Sequence, residues 1–105
     1  KKKAVKFYRM AADRGFATAQ FNLGVCYRDG NGVVQDYVEA VRLYKLAADQ
    51  GLSEAEHMLG CAYVNRSLNG KGVEEDVAEA IRWYERAAAK GYEKAKAALA
   101  HLRSP

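Results

Sequence analysis

Two histidines, His57 and His101, and two cysteines, Cys26 and Cys61, are the residues of this 105-residue chain with the widest chemical reach, namely metal ligation, thiol attack and proton transfer. A structural metal needs ligands paired at close spacing, as in CxxC elements, and the two cysteines supply neither that pattern nor a disulfide framework. The histidines stand at unrelated positions and in no recognisable ligand set, so no metal and no cofactor is expected. Hydrolysis would need a nucleophile, a base and an orienting group converging on one pocket. Of the serines, Ser53 reads as a helix cap, Ser67 lies in a loop and Ser104 is terminal. The acidic run Glu74-Glu75-Asp76 suits the start of a helix, where the macrodipole favours negative charge. Gly30-Asn31-Gly32 follows no strand and precedes no GK[ST], which removes a phosphate loop. The chain is therefore read as not an enzyme.

The aromatic residues could stack on nucleic-acid bases, but their positions follow another rule. Ala4-Val5-Lys6-Phe7-Tyr8-Arg9-Met10-Ala11-Ala12 recurs as Ala40-Val41-Arg42-Leu43-Tyr44-Lys45-Leu46-Ala47-Ala48 and again as Ala80-Ile81-Arg82-Trp83-Tyr84-Glu85-Arg86-Ala87-Ala88, at offsets of 36 and 40. Gly15, Gly51 and Gly91 each follow three residues later. A second kind of run then carries Ala19, Leu23, Gly24 and Tyr27, or Ala55, Leu59, Gly60 and Tyr63. Self-similarity at this period marks a solenoid of short supersecondary units. The tyrosines are thus packing residues, with each hydroxyl expected at an edge. Phe7, Leu43 and Trp83, which are equivalent, are expected to fill the seam between neighbouring helices.

Stepping to the elements that carry these residues, Ala40, Val41, Tyr44, Ala47 and Ala48 fall on one stripe of a 3.6-residue helix, here termed type B. Ala19, Leu23 and Tyr27 place a shorter amphipathic helix, type A, before each B helix. Asp36 with Glu39 and Asp76 with Glu79 have the spacing of an N-cap and an acidic third residue, and Ser53 with Glu56 reads as a capping box. Between A and B lie Asp29-Gly30-Asn31-Gly32-Val33 and a longer segment, residues 65–73, whose four extra residues account for the period of 40. Gly24 and Gly60 inside helix A cost roughly 1 kcal/mol each relative to alanine. A close approach to helix B, against the Ala47-Ala48 and Ala87-Ala88 pairs, is the expected compensation.

The excess of positive charge is local, and the body of the chain is nearly neutral. There are 17 Lys and Arg against 13 Asp and Glu, and Lys1, Lys2 and Lys3 supply three of the four excess charges. A nucleic-acid footprint would instead be a basic stripe on one face, so no nucleic acid is expected. No apolar run reaches the 18 residues of a membrane-spanning helix.

The arrangement Leu23-Gly24, Tyr27, Gly30, Gly32-Val33, Asp36, Ala40, Tyr44, Ala47-Ala48 and Gly51 resembles the Sel1-like repeat family. It recurs as Leu59-Gly60, Tyr63, Gly70, Gly72-Val73, Asp76, Ala80, Trp83-Tyr84, Ala87-Ala88 and Gly91. The resemblance implies an all-α fold, an α-solenoid of antiparallel helical hairpins similar to tetratricopeptide arrays, with about six helices. It divides one array into 1–16 (helix B alone), 17–52, 53–92 with the loop insertion, and 93–105 as a terminal A-type helix. The missing first A helix suggests a piece cut from a longer array. In the last helix Ala100 replaces the repeat glycine and Arg103 the tyrosine, as in a capping helix or a trimmed edge. Some secreted relatives are cysteine-rich, with a disulfide in each repeat; here Cys26 aligns with Ala62 and Cys61 with Val25, which speaks against that pattern.

The family resemblance further implies adaptor work, with A helices lining a concave face. Subtracting core positions leaves Thr18, Phe21, Asn22, Val25 and Arg28 in one copy and Glu54, His57, Met58, Cys61 and Val64 in the next. Phe21, Val25, Met58 and Cys61 would form an apolar strip, or Phe21 and Met58 would pack on the next repeat. His57, aligned with Phe21, is expected to be exposed. The expected function is a scaffold that holds a peptide or helix of another protein. The alternatives are an RNA-binding array or a regulatory subunit of a separate enzyme. Open solenoid ends leave end-to-end self-association open.

Overall fold

The computed structural model describes residues 2–64 and 74–103. Among these, six helices follow one another: α1 (Lys2–Asp13), α2 (Ala17–Asp29), α3 (Tyr37–Asp49), α4 (Ser53–Tyr63), α5 (Val77–Ala89) and α6 (Glu93–Arg103). The four-residue insertion assigned to 65–73 lies outside the described residues. Each helix packs on its sequence neighbours, α2 on α3 and α4 on α5 most closely. The result is an elongated stack of 45 × 27 × 17 Å. None of the described helices is long and apolar enough to cross a membrane.

The B stripe is the core. Ala40, Tyr44 and Ala47 of α3 are fully buried, and Val41 and Ala48 nearly so; Ala80 and Ala87 repeat this in α5. They join Ala55, Leu59, Ala62 and Trp83 in the central cluster or its neighbour around Tyr84, Ala95 and Leu99. Fully burying a side chain such as Leu59 contributes about 1.5–3 kcal/mol, so these few positions carry the stack.

Helix ends are set by local chemistry. Asp36 and Asp76 adopt extended backbone and accept from the amides of Glu39 and Glu79 at 3.1 Å. Each thereby satisfies an amide that the first helical turn leaves orphaned. At the other end Gly51 sits at φ 89°, Gly51 N–H donates to the Ala48 carbonyl at 2.8 Å and Leu52 N–H to the Ala47 carbonyl at 3.3 Å. That left-handed closure is open to glycine without a Cβ clash, and Gly15 and Gly91 repeat it. The loops of unequal length close on the same bond: Asp36 N–H donates to the Tyr27 carbonyl at 2.9 Å and Asp76 N–H to the Tyr63 carbonyl at 2.8 Å.

Four expectations are corrected. Ser53 does not cap α4. Leu52 holds the N-cap position with no side-chain cap, because it is also the residue that closes the preceding turn. Glu56 is buried rather than reaching back to a cap. The helical glycines oppose tyrosine rings rather than alanine pairs: a Cβ on Gly24 would lie 2.9 Å from Tyr44 Cε1, and one on Gly60 2.5 Å from Tyr84 Cε1. Tyr44 places its hydroxyl inside, with no hydrogen-bond partner among the described residues. Burial pushes its pKa up to about 12, with Arg28 pulling the other way. Finally, Leu43 and Trp83 fill seams at 2% and 6% exposure, whereas Phe7 is 72% exposed. No described helix covers that side of α1.

Candidate interaction face

The side chains that vary between copies on α2 and α4 emerge next to the core rather than far from it. On α2, Phe21 packs against Tyr44 with ring centroids 5.6 Å apart. Phe21, Val25 and Met58 all border the central cluster and are half-buried, so part of the apolar strip is spent on packing between hairpins. Asn22 is half-buried as well, while Thr18 and Glu54, which are equivalent, are exposed in the first turns of their helices. Val64 falls out of the strip: α4 ends at Tyr63, and Val64 is buried in the cluster around Tyr84.

Arg28 is the polar end of the strip. Its guanidinium pairs with Asp29 through Nε–Oδ1 at 2.9 Å and Nη2–Oδ2 at 3.2 Å, which holds the Asp29 carboxyl below its usual range. Nη1 also lies 4.0 Å from Met58 Sδ. This contact runs from the last turn of α2 to the middle of α4, and it joins variable residues of two hairpins into one surface.

The second half of the face is a ring-lined niche. The imidazole of His57 lies 5.4 Å from the ring of Tyr84 and 5.4 Å from that of Tyr92. The expected exposure of His57 is thus corrected: it is half-buried, and Nδ1 has no hydrogen-bond partner among the described residues. Burial, followed by the charge of Lys94, holds its pKa below the ordinary value. Its Nε2 stands 3.6 Å from Cys61 Sγ, one helical turn on, and the Tyr84 hydroxyl donates to the same sulfur at 3.3 Å. Cys26 and Cys61 are free thiols; Cys26 is buried in the cluster under α1, and burial pushes its thiol up. The pairing of His57 with Cys61 follows from their four-residue spacing on a helix. Tyr92 is the residue that sequence reasoning missed. Its signal was its place directly after Gly91, equivalent to Phe16 and Leu52, where an apolar residue closes the turn. Among the described residues no group of three or more His, Cys, Asp or Glu could hold a metal.

The sequence matches a known family model, the Sel1 repeat, over residues 1–16, 17–52 and 53–92. The chain belongs to the Sel1 repeat family. Among solved structures it is similar to a Sel1 repeat protein from Oxalobacter formigenes, with 41% identity and a TM-score of 0.85 over 93% of this chain and 39% of that one. It is also similar to a protective antigen present in uropathogenic Escherichia coli strains that displays an SLR fold, with 42% identity and a TM-score of 0.80 over 86% of this chain and 18% of that one. Helicobacter pylori cysteine rich protein B shares the fold, with 24% identity and a TM-score of 0.81 over 90% of this chain and 68% of that one. The chain thus spans about two fifths and one fifth of the length of the first two. No curated protein sequence matches it. The all-α Sel1-repeat solenoid read from the residues is the fold of this chain and of these relatives.

Proposed function

We propose that this Sel1-repeat chain is a scaffold that holds a helix or extended peptide of another protein on the face formed by Phe21, Asn22, Val25, Arg28, Glu54, His57, Met58 and Cys61. Sel1-repeat proteins are in general protein-interaction scaffolds, and repeat stacks offer extended surfaces suited to that work. The observation that carries the reading is the 4.0 Å approach of Arg28 Nη1 to Met58 Sδ, which makes the variable side chains of two hairpins contiguous. Half-buried Phe21, Val25 and Met58 supply apolar area. Arg28, 30% exposed and already paired on one side, supplies a directed cation for a carboxylate of the partner.

The test is quantitative affinity capture from the native cell with the wild-type chain, Phe21→Ala, His57→Ala and a control, Lys45→Ala, exposed on α3. Folding of each is checked by circular dichroism. The two face variants are expected to lose the captured partner about tenfold or more while the control keeps it. Unchanged capture by both face variants removes this surface from consideration.

A further inference from the structure

The second complete hairpin carries reactive groups where the first carries apolar ones. Phe21 and Val25 on α2, Tyr44 on α3 and Leu52 after it have as counterparts His57 and Cys61 on α4, Tyr84 on α5 and Tyr92 after it. In the first hairpin the Phe21 ring lies 5.6 Å from that of Tyr44, whose hydroxyl has no partner among the described residues. In the second, His57 takes the ring contact and Cys61 accepts from the Tyr84 hydroxyl at 3.3 Å. The same stack closes around Phe21 and Val25, so packing by itself does not call for a histidine and a cysteine in these places.

What the substitution creates is a nucleophile beside a base. His57 Nε2 stands 3.6 Å from Cys61 Sγ, within hydrogen-bond reach of a sulfur. Because that sulfur accepts from Tyr84, its own proton is left to the imidazole. The rings of Tyr84 and Tyr92, each 5.4 Å away, hold the imidazole in place. Burial and the charge of Lys94 keep it neutral and therefore able to accept a proton, and its Nδ1 has no partner among the described residues to steady a cation. A proton taken from Cys61 is thus passed on rather than kept. Cys61 is half-buried, whereas Cys26 is buried among Val5, Ala12, Leu23 and Leu43.

We propose that Cys61 is a thiol–disulfide exchange site, with His57 as its base, that takes a small organic disulfide into the niche beside Tyr92. The Cys61 proton moves to His57 Nε2 as the sulfur attacks one sulfur of the disulfide. The new S–S bond forms while the reagent's own S–S bond breaks, and the departing thiolate keeps that electron pair and takes the proton from the imidazolium. The Cys61 sulfur is oxidised and the departing sulfur reduced, so no further oxidant enters. The adduct stands on the face proposed above for a partner, but its formation does not rest on that reading.

The probe is bis(2-hydroxyethyl) disulfide, which is uncharged and so is not drawn in by Arg28 or Lys94, added in excess to the folded chain. Sites and rates are read by intact mass and peptide mapping. Cys61 is expected to react at least about tenfold faster than Cys26. Its rate should change by no more than about threefold between about pH 7 and pH 8, where an unassisted thiol changes about tenfold. The other charged and titratable groups around the pair are Arg28, Glu54, Tyr84, Tyr92 and Lys94. His57→Phe, with the residue of the equivalent position 21, and His57→Gln, polar but without a base, are each checked for folding by circular dichroism. Both should slow Cys61 about tenfold or more and restore the steep pH dependence, and loss in both separates the missing base from simple obstruction. Cys61→Val, with the residue of position 25, should take no adduct on α4. Equal rates at Cys61 and Cys26, a steep pH dependence in the wild type, or an unchanged rate in either folded His57 variant overturns the proposal, and the two wild-type measurements decide even where a variant does not fold.

Discussion

Lys90 at the end of α5 reaches back to the first turn of α4 and places its ammonium between the two carboxylate oxygens of Glu56, at 2.8 and 2.9 Å. The Glu56 side chain is only 3% exposed, whereas that of Lys90 is 42% exposed. The carboxylate has therefore given up water and, among the described residues, is paired with this cation, which can still find solvent. Removing Lys90 strands a buried charge, while replacing both partners with a neutral pair does not.

Lys90→Ala should accordingly cost about 2–4 kcal/mol in denaturant unfolding. The double replacement Glu56→Gln with Lys90→Gln copies the Gln20–Gln50 pair of the preceding hairpin and should recover most of that loss. A double variant no more stable than Lys90→Ala would show that the clasp is not the source of the cost.

Gly60→Ala brings a Cβ to 2.5–2.7 Å from three carbons of the Tyr84 ring. That ring is 3% exposed and has core on its other side, so it cannot swing away cheaply. The helix-propensity gain of about 1 kcal/mol is expected to be outweighed, leaving a net loss of about 1–2 kcal/mol. Gly24→Ala, whose nearest approaches are 2.9–3.2 Å, should lose less. Thermal melts that rank the two the other way, or show stabilisation, contradict the ring contact.

Acidification should weaken the packing around His57. Burial and the positive charge of Lys94 disfavour imidazolium at His57, so its native pKa lies below the unfolded value of 6.5. The unfolded chain then takes up the proton first as pH falls. The stability contributed by neutral His57 is complete above pH 6.5 and is lost as the pH drops through that value towards the depressed native pKa. Besides Lys94, Tyr84, Tyr92 and Cys61 face the ring. Between about pH 7.5 and pH 5.5 the wild type should lose more in melting temperature than His57→Phe, which carries the residue found at the equivalent position 21. Parallel profiles for the two proteins would remove His57 as the cause.

The helix caps give a small, local expectation. Asp36→Ala and Asp76→Ala each leave a first-turn amide without its acceptor at 3.1 Å and should each cost about 1 kcal/mol. Asn in either place should be nearly neutral, and equal losses for Ala and Asn would point to charge rather than the cap bond.

What was legible depends on how far each signal reaches along the chain. The helix order, the Asp36 and Asp76 caps and the turn glycines follow from spacing within a few residues. The buried stripe of α3 and α5 follows from the 3.6-residue period. Ser53 is not the cap that its capping-box pattern implies, because the pattern cannot reveal that Leu52 is needed by two turns at once. The tyrosine against each glycine was also out of reach, since the sequence showed that a close approach was required but not by which side chain.

The sequence by itself determined that this chain is a repeat of helical hairpins, because the same short-range rules are written two and a half times at offsets of 36 and 40. Only the tertiary structure decided what the variable residues do. Phe21 and Met58 divide their surface between core and solvent, His57 is held between two rings, and Glu56 is buried with Lys90 from a residue 34 positions away. Those outcomes depend on which helix lies opposite, and that opposition is set by packing across hairpins rather than by any pattern along one of them.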